Sequence, residues 1–192
     1  MKKMLLFVLC IACGLAGPAH AGDRFPYKVK GEHKGGDVTP TQAWEMVQKD
    51  PEHTFIVDVR TRSEYQDIGH PAGAINIPWL FATFRPGKDG YDKVLNPNFA
   101  QDLLARFNPK TDTLLLLCRS AERTIAATTA AVDAGFPAER VFNVLGGFEG
   151  DKEKNPKSPD LGKRTLGGWR LEGLPWTYDM NPKLMYRRDF QQ

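Results

Sequence analysis

Leu114, Leu115, Leu116 and Leu117 follow one another without a polar break and stop at Cys118. A strand alternates its side chains between two faces, so four leucines in a row need apolar cover on both. That requirement points to a parallel sheet sandwiched between helices. Next come Arg119, Ser120, Ala121, Glu122 and Arg123, a short polar loop, and then Thr124-Ile125-Ala126-Ala127-Thr128-Thr129-Ala130-Ala131-Val132, which reads as a helix of small residues. Cys118 therefore stands at the carboxyl end of a central strand, just before a helix N-terminus. Open α/β sheets take their ligands at that place. The N–H groups of such a loop, with the helix end, form a nest that favours negative charge, and a thiolate is negative.

The remaining chain supplies the rest of such a sheet. Thr39 as N-cap, Pro40 at the first helical position and Gln42 as capping-box partner start a helix whose apolar stripe is Ala43, Trp44, Met46 and Val47. Thr54-Phe55-Ile56-Val57-Asp58-Val59-Arg60 is a second strand, apolar until Asp58 and Arg60 at its carboxyl end. Ser63 caps a short helix through Glu64-Tyr65-Gln66, and a turn at 69–73 leads into a short strand at 74–78. Residues 79–98 read as a long ordered loop beside the strand ends. Residues 98–107 read as an amphipathic helix presenting Phe99, Leu103, Leu104 and Phe107. Val141-Phe142-Asn143-Val144 is a further strand, followed by Leu145-Gly146-Gly147-Phe148. Tyr27-Lys28-Val29 offers one edge strand; residues 151–164 read as an exposed excursion, and Trp169 and Trp176 as packing back on the domain. Alternating strands and helices with short connections make one α/β domain.

The first residues have another character. Met1-Lys2-Lys3 is followed by an apolar stretch to Gly17, too short for a comfortable membrane span, and by Ala19-His20-Ala21. Residues 1–21 are read as a cleaved secretory signal, placing the mature chain in the periplasm without stable membrane insertion; an uncleaved anchor and lipidation at Cys13 stay open as weaker readings. Cys10 and Cys13 leave with it, so Cys118 becomes the single thiol. Loss of Lys2 and Lys3 takes the basic count from 26 to 24 against 23 acids. A chain that close to neutral carries no electrostatic footprint for nucleic acid. An exported protein ordinarily pairs its cysteines, so a lone one is either a buried small hydrophobe or a reactive thiol.

The loop favours reactivity. A free thiol is only a few per cent thiolate at neutral pH. A helix N-terminus contributes roughly 0.3–1 kcal/mol to an adjacent anion, and guanidinium groups and loop N–H bonds add to it. Arg119 and Arg123 also suit an anionic substrate, since fixed cations offset repulsion from the thiolate and grip oxyanions. Either arginine could instead pair with Glu122 or Glu149.

Residues 118–124 resemble the active-site loop of the rhodanese (sulfurtransferase) family. Asp58-Val59-Arg60, Glu64-Tyr65 and Gly69-His70-Pro71-Ala72-Gly73-Ala74-Ile75-Asn76-Ile77-Pro78 resemble its first signature, and residues 141–148 its closing one. The resemblance implies a five-stranded, mainly parallel sheet flanked by helices, over residues 38–150, between a lead-in at 22–37 and an extension at 151–192. It implies that Cys118 attacks a small anionic sulfur donor such as thiosulfate, carries the sulfur as a persulfide, and passes it to a thiol or cyanide-like acceptor or to an acceptor protein, with no cofactor. By the same resemblance the N–H groups of Arg119, Ser120, Ala121, Glu122, Arg123 and Thr124 cradle the sulfur, and Arg119 and Arg123 hold the donor. The Ser120 and Thr124 hydroxyls bond to the thiolate or persulfide. Asp58 and Arg60, at a neighbouring strand end, are read as mainly structural, an ion pair or a loop brace. Many family loops carry glycine where this chain has Ala121, which strains the backbone if φ there is positive. Three other readings stay open. Phosphatases and arsenate reductases of related fold need five residues between cysteine and arginine, where this chain has four. A thiol–disulfide oxidoreductase lacks its second cysteine. A non-catalytic sulfur-binding or interaction module would use the same nest.

Overall fold

A computed structural model describes residues 25–88 and 90–187 of the chain; the stretch at 1–21 expected to be a signal, with Cys10 and Cys13, lies outside the described residues. In chain order the elements are β1 (Gly36–Val38), α1 (Pro40–Lys49), β2 (Thr54–Asp58), α2 (Arg62–Asp67), β3 (His70–Pro71), β4 (Ile75–Asn76), β5 (Leu80–Gly87), β6 (Gly90–Leu95), α3 (Phe99–Arg106), β7 (Thr113–Leu117), α4 (Arg123–Asp133) and β8 (Val141–Val144). After them come the short strands β9 (Asp151–Lys152), β10 (Arg164–Leu166) and β11 (Trp176–Thr177).

Five strands form one sheet in the order β1-β8-β7-β2-β4, every pair parallel. The leucine strand β7 is in the middle, and its alternation explains the unbroken run. Leu114 and Leu116 pack with Phe99, Leu103, Ala127 and Ala131 of α3 and α4. Leu115 and Leu117 pack on the other face with Ala43 of α1, Tyr65 of α2, Phe148 and Trp169. All four leucines are fully buried. Helix α1 starts with the expected capping box: Gln42 N–H donates to Thr39 Oγ1 at 3.2 Å, and Thr39 N–H donates to Gln42 Oε1 at 2.9 Å.

Four expectations from sequence need correction. Residues 27–29 form no strand; Tyr27 instead donates its hydroxyl to Glu172 and accepts from Gly168 N–H, which turns it out of any ladder. The cap of α2 is Thr61, not Ser63, because Thr61 has Glu64 three residues on to close the box. Residues 80–95 form an antiparallel hairpin, β5 with β6, rather than an irregular loop. Phe81, Thr83, Phe84, Tyr91 and Val94 are strand-favouring residues, a signal that Pro86 and the intervening charges mask. Asn96 ties the hairpin's base to the body, its side chain donating to Pro78 C=O and to Asp102. Leu104 lies on the outer side of α3 and is 45 % exposed.

The chain beyond β8 returns to the body. Trp169 is fully buried, edge-on to Trp44 of α1, and its Nε1 donates to Pro175 C=O at 2.9 Å. Strand β11 pairs with β3, and the Leu184 carbonyl accepts Asn76 N–H at 2.8 Å, which covers the open edge of β4. Truncating Trp169 to alanine is expected to lower the unfolding free energy by about 3–5 kcal/mol in urea denaturation. A loss under about 1 kcal/mol would mean that this segment merely rests on the surface.

Candidate active site

Strand β7 ends at Leu117, and Cys118 follows as a free, buried cysteine on the face occupied by Leu114 and Leu116. Two carbonyls at the start of its loop are taken by the segment after β8. Phe148 N–H donates to Cys118 C=O at 2.8 Å, and Glu149 N–H to Arg119 C=O at 3.0 Å. Gly147 makes that approach possible. With φ at 59°, a Cβ built on it would lie 2.4 Å from the Cys118 carbonyl oxygen and 2.8 Å from Ser120 N. A further layer backs this one, as Trp169 N–H donates to Gly147 C=O and Arg170 N–H to Phe148 C=O. Within the loop, Ala121 has φ at 64°, the one left-handed non-glycine residue among the described residues, and it is fully buried. The glycine-favouring conformation raised by the sequence is therefore adopted with an alanine, at a strain on the order of 1–2 kcal/mol. The N–H groups of Arg119, Ser120, Ala121 and Glu122 form no hydrogen bond to another described group, and Glu122, as N-cap of α4, makes no side-chain cap. These donors remain free to bind an anion.

The charged residues divide into braced and free. Arg123 forms a two-pronged pair with Glu64 of α2, both contacts at 2.7 Å, instead of pairing with Glu122 or Glu149. Burial pushes Glu64 up, but the bonds and charge of Arg123, with those of Thr61, overturn this and hold its carboxyl down to about 2. Burial alone would lower Arg123; Glu64 first, then Cys118 and Asp58, raise it. Asp58 and Arg60 form a pair with no exposure at all, closest at 2.6 Å, and Arg60 also donates to Gly69 C=O and lies 4.3 Å over the Phe148 ring. One guanidinium nitrogen of Arg60, Nη1, is buried without a partner among the described residues. Arg119 is exposed and makes no ion pair among the described residues. Glu122 lies 3.7 Å from Lys30, and Glu149 3.9 Å from Arg164, whose guanidinium is lowered by burial and then by the nearby charge of Arg119.

The hydroxyls complete the site. Ser120 is buried, and Thr124 Oγ1 lies 3.8 Å from Cys118 Sγ while donating to Asn143 Oδ1 at 2.5 Å. His70, the turn histidine, stacks on Tyr65 at 3.6 Å between ring centroids and contacts its carbonyl with Nδ1, away from the cysteine loop. Three residues here escaped the sequence reading. Glu64 and Thr61 carried a legible signal in the Thr-x-x-Glu capping pattern, which fixes the carboxylate at the first turn of α2. Asn143 carried none, because its partner Thr124 is nineteen residues away on another element. Among the described residues no group of three or more histidine, cysteine or acidic side chains could hold a metal ion. No described helix is long and apolar enough to cross a membrane.

A family model described as the rhodanese-like domain matches residues 39–154. Thiosulfate sulfurtransferase 16, chloroplastic, of Arabidopsis thaliana is 36 % identical over 96 residues, covering 50 % of this chain and 71 % of that protein. An uncharacterized protein of Rickettsia rickettsii is 27 % identical over 143 residues, covering 74 % of this chain and 97 % of the other. The crystal structure of Rv0390 from M. tuberculosis is similar with a TM-score of 0.60 at 33 % identity, covering 77 % of this chain and all of that one (100 %).

Two outcomes follow from the bracing of the loop. The pair with Arg123 contributes stability above the ordinary Glu64 value of 4.5, and that contribution is lost as pH falls toward about 2. Wild type and Glu64→Gln should therefore differ by some 2–3 kcal/mol more at neutral pH than at the acid end, read from urea denaturation. A gap that does not change with pH would show that Arg123 leaves Glu64 unperturbed. Gly147→Ala should cost more than about 2 kcal/mol by the same measurement, since both its φ and its backbone contacts oppose a methyl group.

Proposed function

We propose, given that this chain belongs to the rhodanese-like domain family, that it is a sulfurtransferase working through a persulfide on Cys118. The observation that carries this reading is the buried cysteine at the end of the central strand, opening a tight loop whose N–H groups are uncommitted. The Cys118 thiolate attacks the outer sulfur of a thiosulfate-like donor. A carbon–sulfur–sulfur linkage forms, the donor's S–S bond breaks, and sulfite leaves with the electron pair. A thiol or cyanide-like acceptor then attacks the outer sulfur of the persulfide and restores the thiolate. Loop N–H groups from Arg119 to Thr124 hold the charged sulfur, as a nest of donors favours an anion. Arg119, exposed and without an ion pair among the described residues, meets the donor's oxyanion. Arg123 shapes the far end of the loop, its fork held and its charge offset by Glu64, and Asp58 with Arg60 braces the neighbouring strand end.

The loop length supports sulfur over phosphorus. Four residues between Cys118 and Arg123 make a tighter ring than the five that surround a tetrahedral oxyanion in related phosphatases. The proposed setting is the periplasm, reached through a cleaved signal at residues 1–21, with a small thiol or an acceptor protein taking the sulfur away. Residues 38–150 are proposed as the catalytic domain and 151–192 as an extension that backs it.

Incubation of the protein with thiosulfate is expected to add one sulfur atom to Cys118 by intact mass, and Cys118→Ser should add none. An unchanged mass with several sulfane donors would sink the transferase. Aryl phosphate hydrolysis that disappears in Cys118→Ser would favour the phosphatase instead.

A further inference from the structure

A chain of hydrogen bonds runs from the sheet edge to the thiol. In the parallel register Asp37 of β1 lies beside Asn143 of β8, and Asn143 beside Leu116 of β7, two residues before Cys118. Side chains in register share a sheet face, and α4 brings Thr124 over it. His33 Nε2 is 3.1 Å from Asp37 Oδ1; Asn143 Nδ2 donates to that same oxygen at 2.8 Å; Thr124 Oγ1 donates to Asn143 Oδ1 and lies 3.8 Å from Cys118 Sγ. Thr124 and Asn143 have no exposure, and the His33 side chain has 3 %, with its Nδ1 buried and unpartnered among the described residues. Buried polar groups among leucines and alanines are costly unless fully bonded, so Thr124 and Asn143 are constrained, while Asp37 at the sheet edge keeps 26 % of its side chain exposed.

The directions follow from which atoms can donate. An ionised carboxylate only accepts, so Asp37 compels Asn143 to turn Nδ2 toward it and Oδ1 toward Thr124. Asn143 Oδ1 also only accepts, so it claims the hydroxyl hydrogen of Thr124. What Thr124 then offers Cys118 is a lone pair, which suits an S–H donor and not a thiolate. We propose that Asp37 and Asn143 are positioning residues that hold the Thr124 hydroxyl in its acceptor orientation and so restrain ionisation of Cys118. For a thiolate to gain the hydroxyl's hydrogen, Thr124 must let go of Asn143 and strand a buried oxygen. The inference concerns the thiol's ionisation alone and stands whether or not the sulfur is transferred.

The other charges around these groups are Arg123 with Glu64, Asp58 with Arg60, and Arg119 on the thiol side. On the Asp37 side they are His33 and, lining the adjoining cleft, Glu45 and Lys49. All stay in place in the following test. In the full chain, the rate of Cys118 alkylation by iodoacetamide is followed against pH. Asp37→Ala frees Asn143 to turn over, donate to Thr124 and release the hydroxyl to the sulfur. Alkylation below neutrality should rise about fivefold, the worth of one net hydrogen bond, and its midpoint should move to lower pH. In a Thr124→Val background the same Asp37→Ala change should have no effect on the rate. Thr124→Ala serves in the same way if the valine variant does not fold. An equal acceleration in both backgrounds would mean that Asp37 acts through its charge alone. No acceleration in either would mean that the chain leaves the thiol untouched, and each of these results overturns the proposal.

Discussion

The site depends on two backbone hydrogen bonds, from Phe148 and Glu149 to the carbonyls of Cys118 and Arg119. They commit the loop's first carbonyls to the body and so fix where the chain turns after the central strand. The donors can come that close because Gly147 has no Cβ, and they are themselves seated by Trp169 and Arg170 in the layer behind. Buried Trp169 thus reaches the cysteine through two backbone layers, which links the packing of the late chain to the geometry of the loop. The same rigidity accounts for Ala121. A left-handed alanine persists only where its surroundings determine the conformation, and here both flanks of the loop are held.

The electrostatics of the loop follow from which charges are already spent. Arg123 and Glu64 neutralise each other, as do Arg60 and Asp58, so these four residues shape the site more than they charge it. Removing one member of such a pair would leave a buried charge without compensation, a far larger cost than the pair's own net contribution. What remains to favour an anion is the loop's unbonded N–H groups, the start of α4 and the exposed Arg119. A ring of dipoles with one exposed cation at its rim favours a small charged atom at the centre and a larger anion passing over it.

The parts of this fold that local chemistry determines were legible in the sequence. Four leucines specify a strand covered on both faces, and Thr39, Pro40 and Gln42 specify a helix start, because each signal lies within a few residues. The cysteine's place at the strand end follows from the same run. The hairpin was obscured by Pro86 and by charges that its exposed position allows: Phe84 is 99 % exposed, so no apolar face marks it. The residues that finish the site were obscured for a different reason. Glu64 meets Arg123 across 59 residues, and Asn143 meets Asp37 across 106, so spacing carries no trace of either contact. Thr61 shows the boundary between the two cases, since its capping pattern was readable while the use made of Glu64 was not.

The Thr124 hydroxyl has one hydrogen and two claimants, and the proposed chemistry moves the charge between them. In a thiolate the negative charge sits on Sγ, within reach of Thr124. In a persulfide it sits on the added sulfur, about 2 Å further out. The hydroxyl can then return its hydrogen to Asn143, while the outer sulfur takes the free N–H groups of the loop. The polar chain behind the cysteine would oppose the bare thiolate and leave the loaded persulfide undisturbed. A site arranged in that way discourages ionisation while empty and loses nothing once the sulfur is aboard. That asymmetry suits a lone cysteine with no second thiol among the described residues to protect it.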